Sequence, residues 1–255
     1  RNITSISLPD SLKEIRTLSF QGCSNLEEIT IPQNVTFIGQ GAFGHCSLLS
    51  SVNIPNGVTI ISKQAFGCCS NLTELVLPDH ITSIENNAFE DCSRLEKINM
   101  PKDLITIGDE AFWGCALVSI TFPDGLSSIG SQAFRSNTAL KNVIIPNSVQ
   151  TVKSAAFWGC TELTDVVFSN SVTEISSSMF YECSNLTCLD LSGFNLGKAY
   201  ASQMLDNCIA LRWIGIPLKL IYNVSLPCPF YDESGELITK LPKNQSKSYR
   251  IYAEH

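Results

Sequence analysis

Histidine is scarce in this chain of 255 residues. Only His45, His80 and His255 are present, in different kinds of position. Nucleophilic catalysis by Ser or Cys needs a base and an orienting carboxylate within reach, and no triad can be read from so few. Positive charge is thin as well: 17 Lys and Arg stand against 24 Asp and Glu, giving a formal net charge of −7, with no basic cluster. Nucleic acid is therefore excluded as a partner, because phosphate binding needs a basic stripe. The acidic residues are scattered, so no block marks a disordered tail. The longest apolar run, around "KNVIIP", is far shorter than the roughly 20 residues that a membrane-crossing helix needs. No charged segment followed by an apolar one opens the chain. It begins abruptly at Arg1, which reads as a trimmed or mature fragment, so the missing signal says nothing about export. Glycine-rich phosphate loops, Cys-x-x-Cys spacings and paired histidines are all lacking, so neither a cofactor nor a metal site is expected.

What the chain has is a ruler. Prolines stand at Pro9, Pro32, Pro55, Pro78, Pro101, Pro123 and Pro146, a step of 23 with one step of 22. Phenylalanines keep that step from Phe20 through Phe43, Phe66, Phe89, Phe112, Phe134 and Phe157 to Phe180, and Cys23, Cys46, Cys69, Cys92, Cys115, Cys160 and Cys183 follow three residues behind. The short step lies in "GCALVSITFP", one residue fewer than "GCSNLEEITIP". A period of this size is the mark of a repeat architecture.

Each unit reads C-S-N-L-x-x-I-x-I-P-x-x-V-x-x-I-x-x-x-A-F-x-x. In "LTELVLP" the apolar Leu72, Leu75 and Leu77 bracket an extended segment. Proline closes it because it cannot donate the next ladder hydrogen bond. Ile81, Ile84, Ala88 and Phe89 follow at spacings of 3 and 4, which suit a tight turn or short helical piece. One unit cannot bury its own apolar face, but stacked units can. With 44% apolar residues, the chain is expected to be an α/β or mainly β solenoid. The expected form is a right-handed coil with one long parallel sheet and short helical or irregular segments opposite, about ten coils over residues 1–217. The last coil is longer, with Cys183 to Cys208 spanning 25 residues. Residues 218–255 break the pattern and are expected to form a small C-terminal cap or hairpin turning near Glu233-Ser234-Gly235.

The units "LPDHITSIENNAFEDCSRLEKINMP" and "IPNSVQTVKSAAFWGCTELTDVVF" resemble the BspA-like, or Treponema pallidum type, leucine-rich repeats over residues 1–192. "SMFYECSNLTCLDLSGFNLGKAYASQMLDNC" is similar to the longer repeat of the same surface proteins. The resemblance implies a secreted or surface-anchored protein of a host-associated bacterium or a parasitic protist. It further implies adhesion toward host matrix proteins such as fibronectin and fibrinogen, or toward other microbes. The departures are Asn137 in place of a ladder cysteine, and Ser169 and Ser192 in place of prolines.

Eleven cysteines in an exported protein ordinarily suggest disulfides. Stacked coils argue otherwise: equivalent side chains point the same way about 4.8 Å apart, whereas a bridge needs Cβ atoms about 3.8 Å apart and crossed vectors. Buried free thiols acting as small apolar fillers are expected. Adjacent Cys68 and Cys69 then face different environments, Cys69 in the ladder and Cys68 in a slot read as solvent-facing. If any bridge exists, Cys228 with Cys208 or Cys188 is the candidate.

Function is left to the surface. Outward strand positions are polar at first, with Glu28, Thr30, Ser51, Asn53 and Glu74, and then acquire Val76, Ile144, Val167 and Trp213. An exposed aliphatic and aromatic stripe suits a partner-binding patch, although β-branched residues also simply suit strands. The slot after each ladder Phe is a second candidate, carrying Trp113, Arg135, Trp158 and Tyr181; these aromatics alternatively shield the coil joints. The reading is a non-enzymatic, extracellular or cell-surface recognition module. Its partner would be a host or microbial surface protein, a matrix protein or a glycan. The alternative is the scaffold of a larger surface enzyme whose catalytic domain lies elsewhere.

Overall fold

The structure, a computed structural model, describes residues 3–168, 171–172, 174–191, 195–196, 203–216, 219–220, 225–240 and 249–253. It divides into two compact units, Arg1–Leu126 and Ser127–His255.

In the first unit each coil contributes two short strands. The strands before the prolines are Glu28–Ile29, Ser51–Val52, Glu74–Leu75 and Lys97–Ile98. Those after them are Glu14–Ile15, Phe37–Ile38, Ile60–Ile61, Ser83–Ile84 and Thr106–Ile107. Pairing is parallel and follows the ruler: Glu28 faces Ser51, Glu74 faces Lys97, and Ile84 faces Ile107. Each proline opens a turn, its carbonyl accepting from the third residue on, as in Val58 N to Pro55 O at 3.0 Å and Ile81 N to Pro78 O at 3.2 Å. One residue per strand points inward and its neighbour outward, the alternation that a half-buried strand imposes.

The expected helical pieces are absent: no described residue is helical. Residues 62–69 show why. Ala65, Gly67 and Cys69 donate within the turn, to Ser62, Gln64 and Phe66, while Gln64, Phe66 and Cys68 donate to Asn86, Ala88 and Glu90 of the next coil. A helix would claim every amide for itself; here alternate amides are spent between coils. The alternation requires left-handed backbone twice per coil, at Gln64 (φ 55°) and Cys68 (φ 60°) in this one. Glycine adopts that region without strain, and it holds the second of these slots at Gly22, Gly114 and Gly159.

The second unit repeats the scheme with longer outer strands. Asn142–Ile145 and Asp165–Phe168 pair over four residues, continuing to Cys188–Asp190 and Trp213–Ile216. Ser128–Ile129, Thr151–Val152 and Glu174–Ile175 form the other ladder.

The described residues form a parallel solenoid of about eight turns, fewer than the ten expected. Residues 3–8 and 116–122 hold no strand. In the latter, the missing residue shifts the bonds: Val118 N reaches Glu96 O, whereas Glu96 N reaches Thr73 O, one residue farther back along the chain. The tail was expected as a cap, and a separate lid over the core is not what is seen. Tyr249–Ala253 lies antiparallel beside Trp213–Ile216, and Ser225–Tyr231 pairs with both Tyr249–Ala253 and Leu237–Lys240. Pro227 and Pro229 supply no amide to that ladder, and its register slips between Ser225 and Phe230.

The core of each unit is a column of parallel rings. Phe20, Phe43, Phe66, Phe89 and Phe112 stack with centroids 5.3 to 5.6 Å apart in the first unit, and Phe134, Phe157 and Phe180 stack at 5.6 and 6.0 Å in the second. Such offset pairs add to the apolar area they bury.

Candidate functional site: the outward strand face

The slot two residues before each proline decides what the outer face is made of. In the first unit it holds Asn53 and Asn99, with Val76 between them. Asn53 accepts from Ile31 N at 2.7 Å and donates to Ile31 O at 2.8 Å. Asn99 does the same to Leu77, at 2.7 and 2.9 Å. The side-chain amide thus replaces the backbone partner, and the strands stop after two residues. Val76 stands 79% exposed on this face.

In the second unit the slot holds Ile144 and Val167. Backbone pairing continues through them, and the two face each other as Cα partners while 65% and 56% exposed. Beside them runs a second row, in which Asn142 faces Asp165, Asp165 faces Cys188, Cys188 faces Trp213, and Trp213 faces Tyr252. The Cys188 thiol donates to Asp165 Oδ1 at 2.8 Å. Asp190 sits over Gly215, where any Cβ would collide with its carboxylate.

The structure therefore brings Ile144, Val167 and Trp213 onto one sheet, while Val76 belongs to the first unit. One contributor escaped the sequence reading: Tyr252 was missed because the tail has no period, although "YRIYA" alternates as a strand does.

The slot after the ladder Phe packs on itself in the second unit. Arg135 lies 3.9 Å over the Trp158 ring, Trp158 meets Tyr181 edge-on at 4.9 Å, and Trp158 Nε1 donates to Glu182 Oε2 at 3.1 Å. Trp113, half-buried, occupies this slot in the first unit. Of the histidines, His80 lies 3.1 Å from Asp103 Oδ2 on exposed turns, and His255 is outside the described residues. No group of three potential metal ligands occurs among the described residues, and no helix there is long and apolar enough to cross a membrane.

The profile of the BspA type leucine rich repeat region, six copies, matches residues 1–118 and 105–225. The chain belongs to the BspA-type leucine-rich repeat proteins. A leucine-rich repeat protein from Bacteroides ovatus ATCC 8483 is 26% identical, with TM-score 0.63 over 83% of this chain and 66% of its own. The pneumococcal vaccine antigen PcpA shares the fold at 20% identity and TM-score 0.55, over 82% of this chain and 61% of its own. A leucine rich cell surface protein from Faecalibacterium prausnitzii A2-165 does so at 24% and 0.51, over 83% and 78%. This chain thus spans about two thirds or less of the Bacteroides and pneumococcal chains. No curated protein matches it.

In this BspA-type protein the cysteine ladder has a bonding role. Every cysteine is free. Cys46, Cys69, Cys92 and Cys115 in the first unit, and Cys160, Cys183 and Cys208 in the second, donate Sγ–H at 3.0 to 3.2 Å to the carbonyl of the ladder Phe one coil back. Burial pushes the Cys46 thiol up to about 11, and Cys160 and Cys208 up to about 12. These are inert fillers. Asn137, fully buried in the same slot, donates instead to Phe134 O of its own coil at 3.0 Å. Of the adjacent pair, Cys69 is buried while Cys68 sits half-exposed at its left-handed turn, its thiol raised by burial and by Asp91 and Glu90.

Proposed function

We propose that this chain is a non-enzymatic recognition or adhesion module, secreted or displayed at a cell surface, that binds a protein or glycan partner through the outward strand face of its second unit. The observation that carries this reading is the exposed pair Ile144 and Val167, on the same sheet as half-buried Trp213 and exposed Tyr252. Exposed apolar groups on such a scaffold mark contact sites. Trp158 already bonds to Glu182, carries Arg135 over its ring and meets Tyr181 edge-on, which favours the strand face and gives the ladder the part of covering coil joints. Family membership supports binding as the activity class, and the similarity to a cell surface protein of Faecalibacterium supports a surface location. Tyr249–Ala253 covers the edge of the last parallel strand, Trp213–Ile216, which keeps that edge from pairing with other chains.

The test is binding of the purified chain to a panel of matrix proteins, microbial surface proteins and glycans. Ile144→Glu and Trp213→Ala should abolish a signal that Trp158→Ala leaves in place. Binding that survives the first two and is lost with the third would move the site to the ladder.

A further inference from the structure

We propose that the face around Asp165 selects a partner segment that places a lysine or arginine within an apolar stretch. This rests on the surface reading above and names the chemistry of what docks there. Asp165 and Val167 project from the same side of one strand, with Ile144 beside Val167 and Cys188 beside Asp165. The carboxylate is therefore set in an exposed apolar border. Its hydrogen-bond partner Cys188 is a neutral donor, and the thiol is held in that form because burial and the bond to Asp165 both raise its pKa. The bond orients the carboxylate. On the next strand Asp190 lies over Gly215, a second carboxylate on the same side.

The outward positions of Asn142–Ile145, Asp165–Phe168 and Cys188–Asp190 include no Lys or Arg. The nearest in sequence, Lys141 and Arg212, stand one residue before Asn142 and Trp213. Around Asp165 the face thus presents negative charge beside the apolar Ile144 and Val167, with Asn142 on one flank and Arg250 in register with Gly215 at the far edge. The complement at Asp165 is positive charge inside an apolar segment. A cation arriving there would donate a charge-assisted hydrogen bond to Asp165 as its neighbours exclude water. The rings of Trp213 and Tyr252 flank the patch and attract cations over their faces. An acidic segment would meet like charge.

The experiment uses the full chain and short peptides of one apolar sequence that differ only in a single central Lys, Arg, norleucine or Glu, with affinities measured at low and high salt. Lys and Arg peptides should bind roughly tenfold more tightly than norleucine, a difference of about 1.4 kcal/mol, and the Glu peptide most weakly. Salt should narrow the gap. Asp165→Asn, which keeps an acceptor for the Cys188 thiol, should remove the preference without shifting the thermal midpoint. Equal binding of Lys and norleucine peptides, both lost on Val167→Asn, would overturn the cation preference while the surface reading stands. No binding by any peptide, or binding indifferent to Val167→Asn, would overturn both.

Discussion

The two units are built from one repeat, yet they present different faces. In the first, Asn53 and Asn99 cover the backbone of the preceding coil with side-chain amides, the strands before the prolines are two residues long, and Val76 is the aliphatic residue between those two amides. In the second, Ile144 and Val167 leave that task to the backbone, which lengthens the strands to four residues and exposes aliphatic groups. Charge divides the same way. The first unit has 7 Lys and Arg against 14 Asp and Glu, whereas the second has 10 of each, so the whole net charge of −7 falls on the first. A repeat fixes the core, and one outward slot per coil is enough to change what the surface offers.

The comparison breaks most readily at the core, which it requires to be equivalent in both units. Phe89→Ala and Phe157→Ala should each cost about 3–5 kcal/mol, by removing a ring stacked on both sides. Chemical denaturation would measure it. A change under about 1 kcal/mol at either site would mean that the ladder does not carry that unit's stability.

Alkaline titration comes next. Unfolded thiols ionise near their ordinary value of 9.0, while Cys46 holds its proton to about 11 and Cys160 and Cys208 to about 12. Above pH 9 the unfolded chain therefore binds fewer protons than the folded one. Stability present in full below that pH falls as pH rises, by about 1.4 kcal/mol per pH unit for each such thiol. The fall should end sooner for Cys46 than for the other two, and Cys160→Ala should make the decline shallower. At neutral pH a thiol reagent should modify half-exposed Cys68, Cys188 and Cys228 quickly and the eight buried cysteines only on unfolding. Eleven equally fast thiols would contradict the ladder.

Much of this was legible in the sequence, and what was not has a local cause. The stacking of Phe and Cys follows from the period, because equal spacing forces like residues into register. The supposed helical pieces failed because spacings of 3 and 4 describe which side chains turn inward and are silent on where amides donate. Gly22, Gly114 and Gly159, which share the slot of Cys68, are the sign of left-handed backbone that the sequence offers. The exposed stripe was found from Ile144, Val167 and Trp213, but Tyr252 reaches Trp213 through antiparallel pairing of an aperiodic tail, which no ruler of 23 can foresee. Asn53 and Asn99 read as ordinary polar surface, since nothing in a sequence distinguishes an amide in water from one pairing with a peptide group.

That difference can be tested in the first unit by deletion. Asn53→Ala strips Ile31 of the partners for both its amide and its carbonyl. Because Ile31 is buried, the cost should be about 1–3 kcal/mol in denaturant unfolding. A neutral result would mean that backbone pairing slides into the gap, and that the first unit can adopt the second unit's longer strands.

The smallest effect is the most informative, because it asks whether the slot alone sets the surface. Asn53 reaches the residue 22 positions earlier, as Asn99 does. By the same offset, Val167→Asn would aim an amide at Ile145, whose backbone now lies within the strand pairing of Asn142–Ile145 and Asp165–Phe168. Side-chain bonds would replace backbone bonds at nearly equal number, and the valine lost is 56% exposed, so stability should move by no more than about 0.5 kcal/mol. The amides of residues 167 and 168 should meanwhile exchange faster with solvent, as the strand retreats to two residues. Unchanged exchange would show that strand length is set by the neighbouring coils. In that case Ile144 and Val167 are exposed by inheritance from a longer sheet, and the second unit's face owes nothing to its own slot.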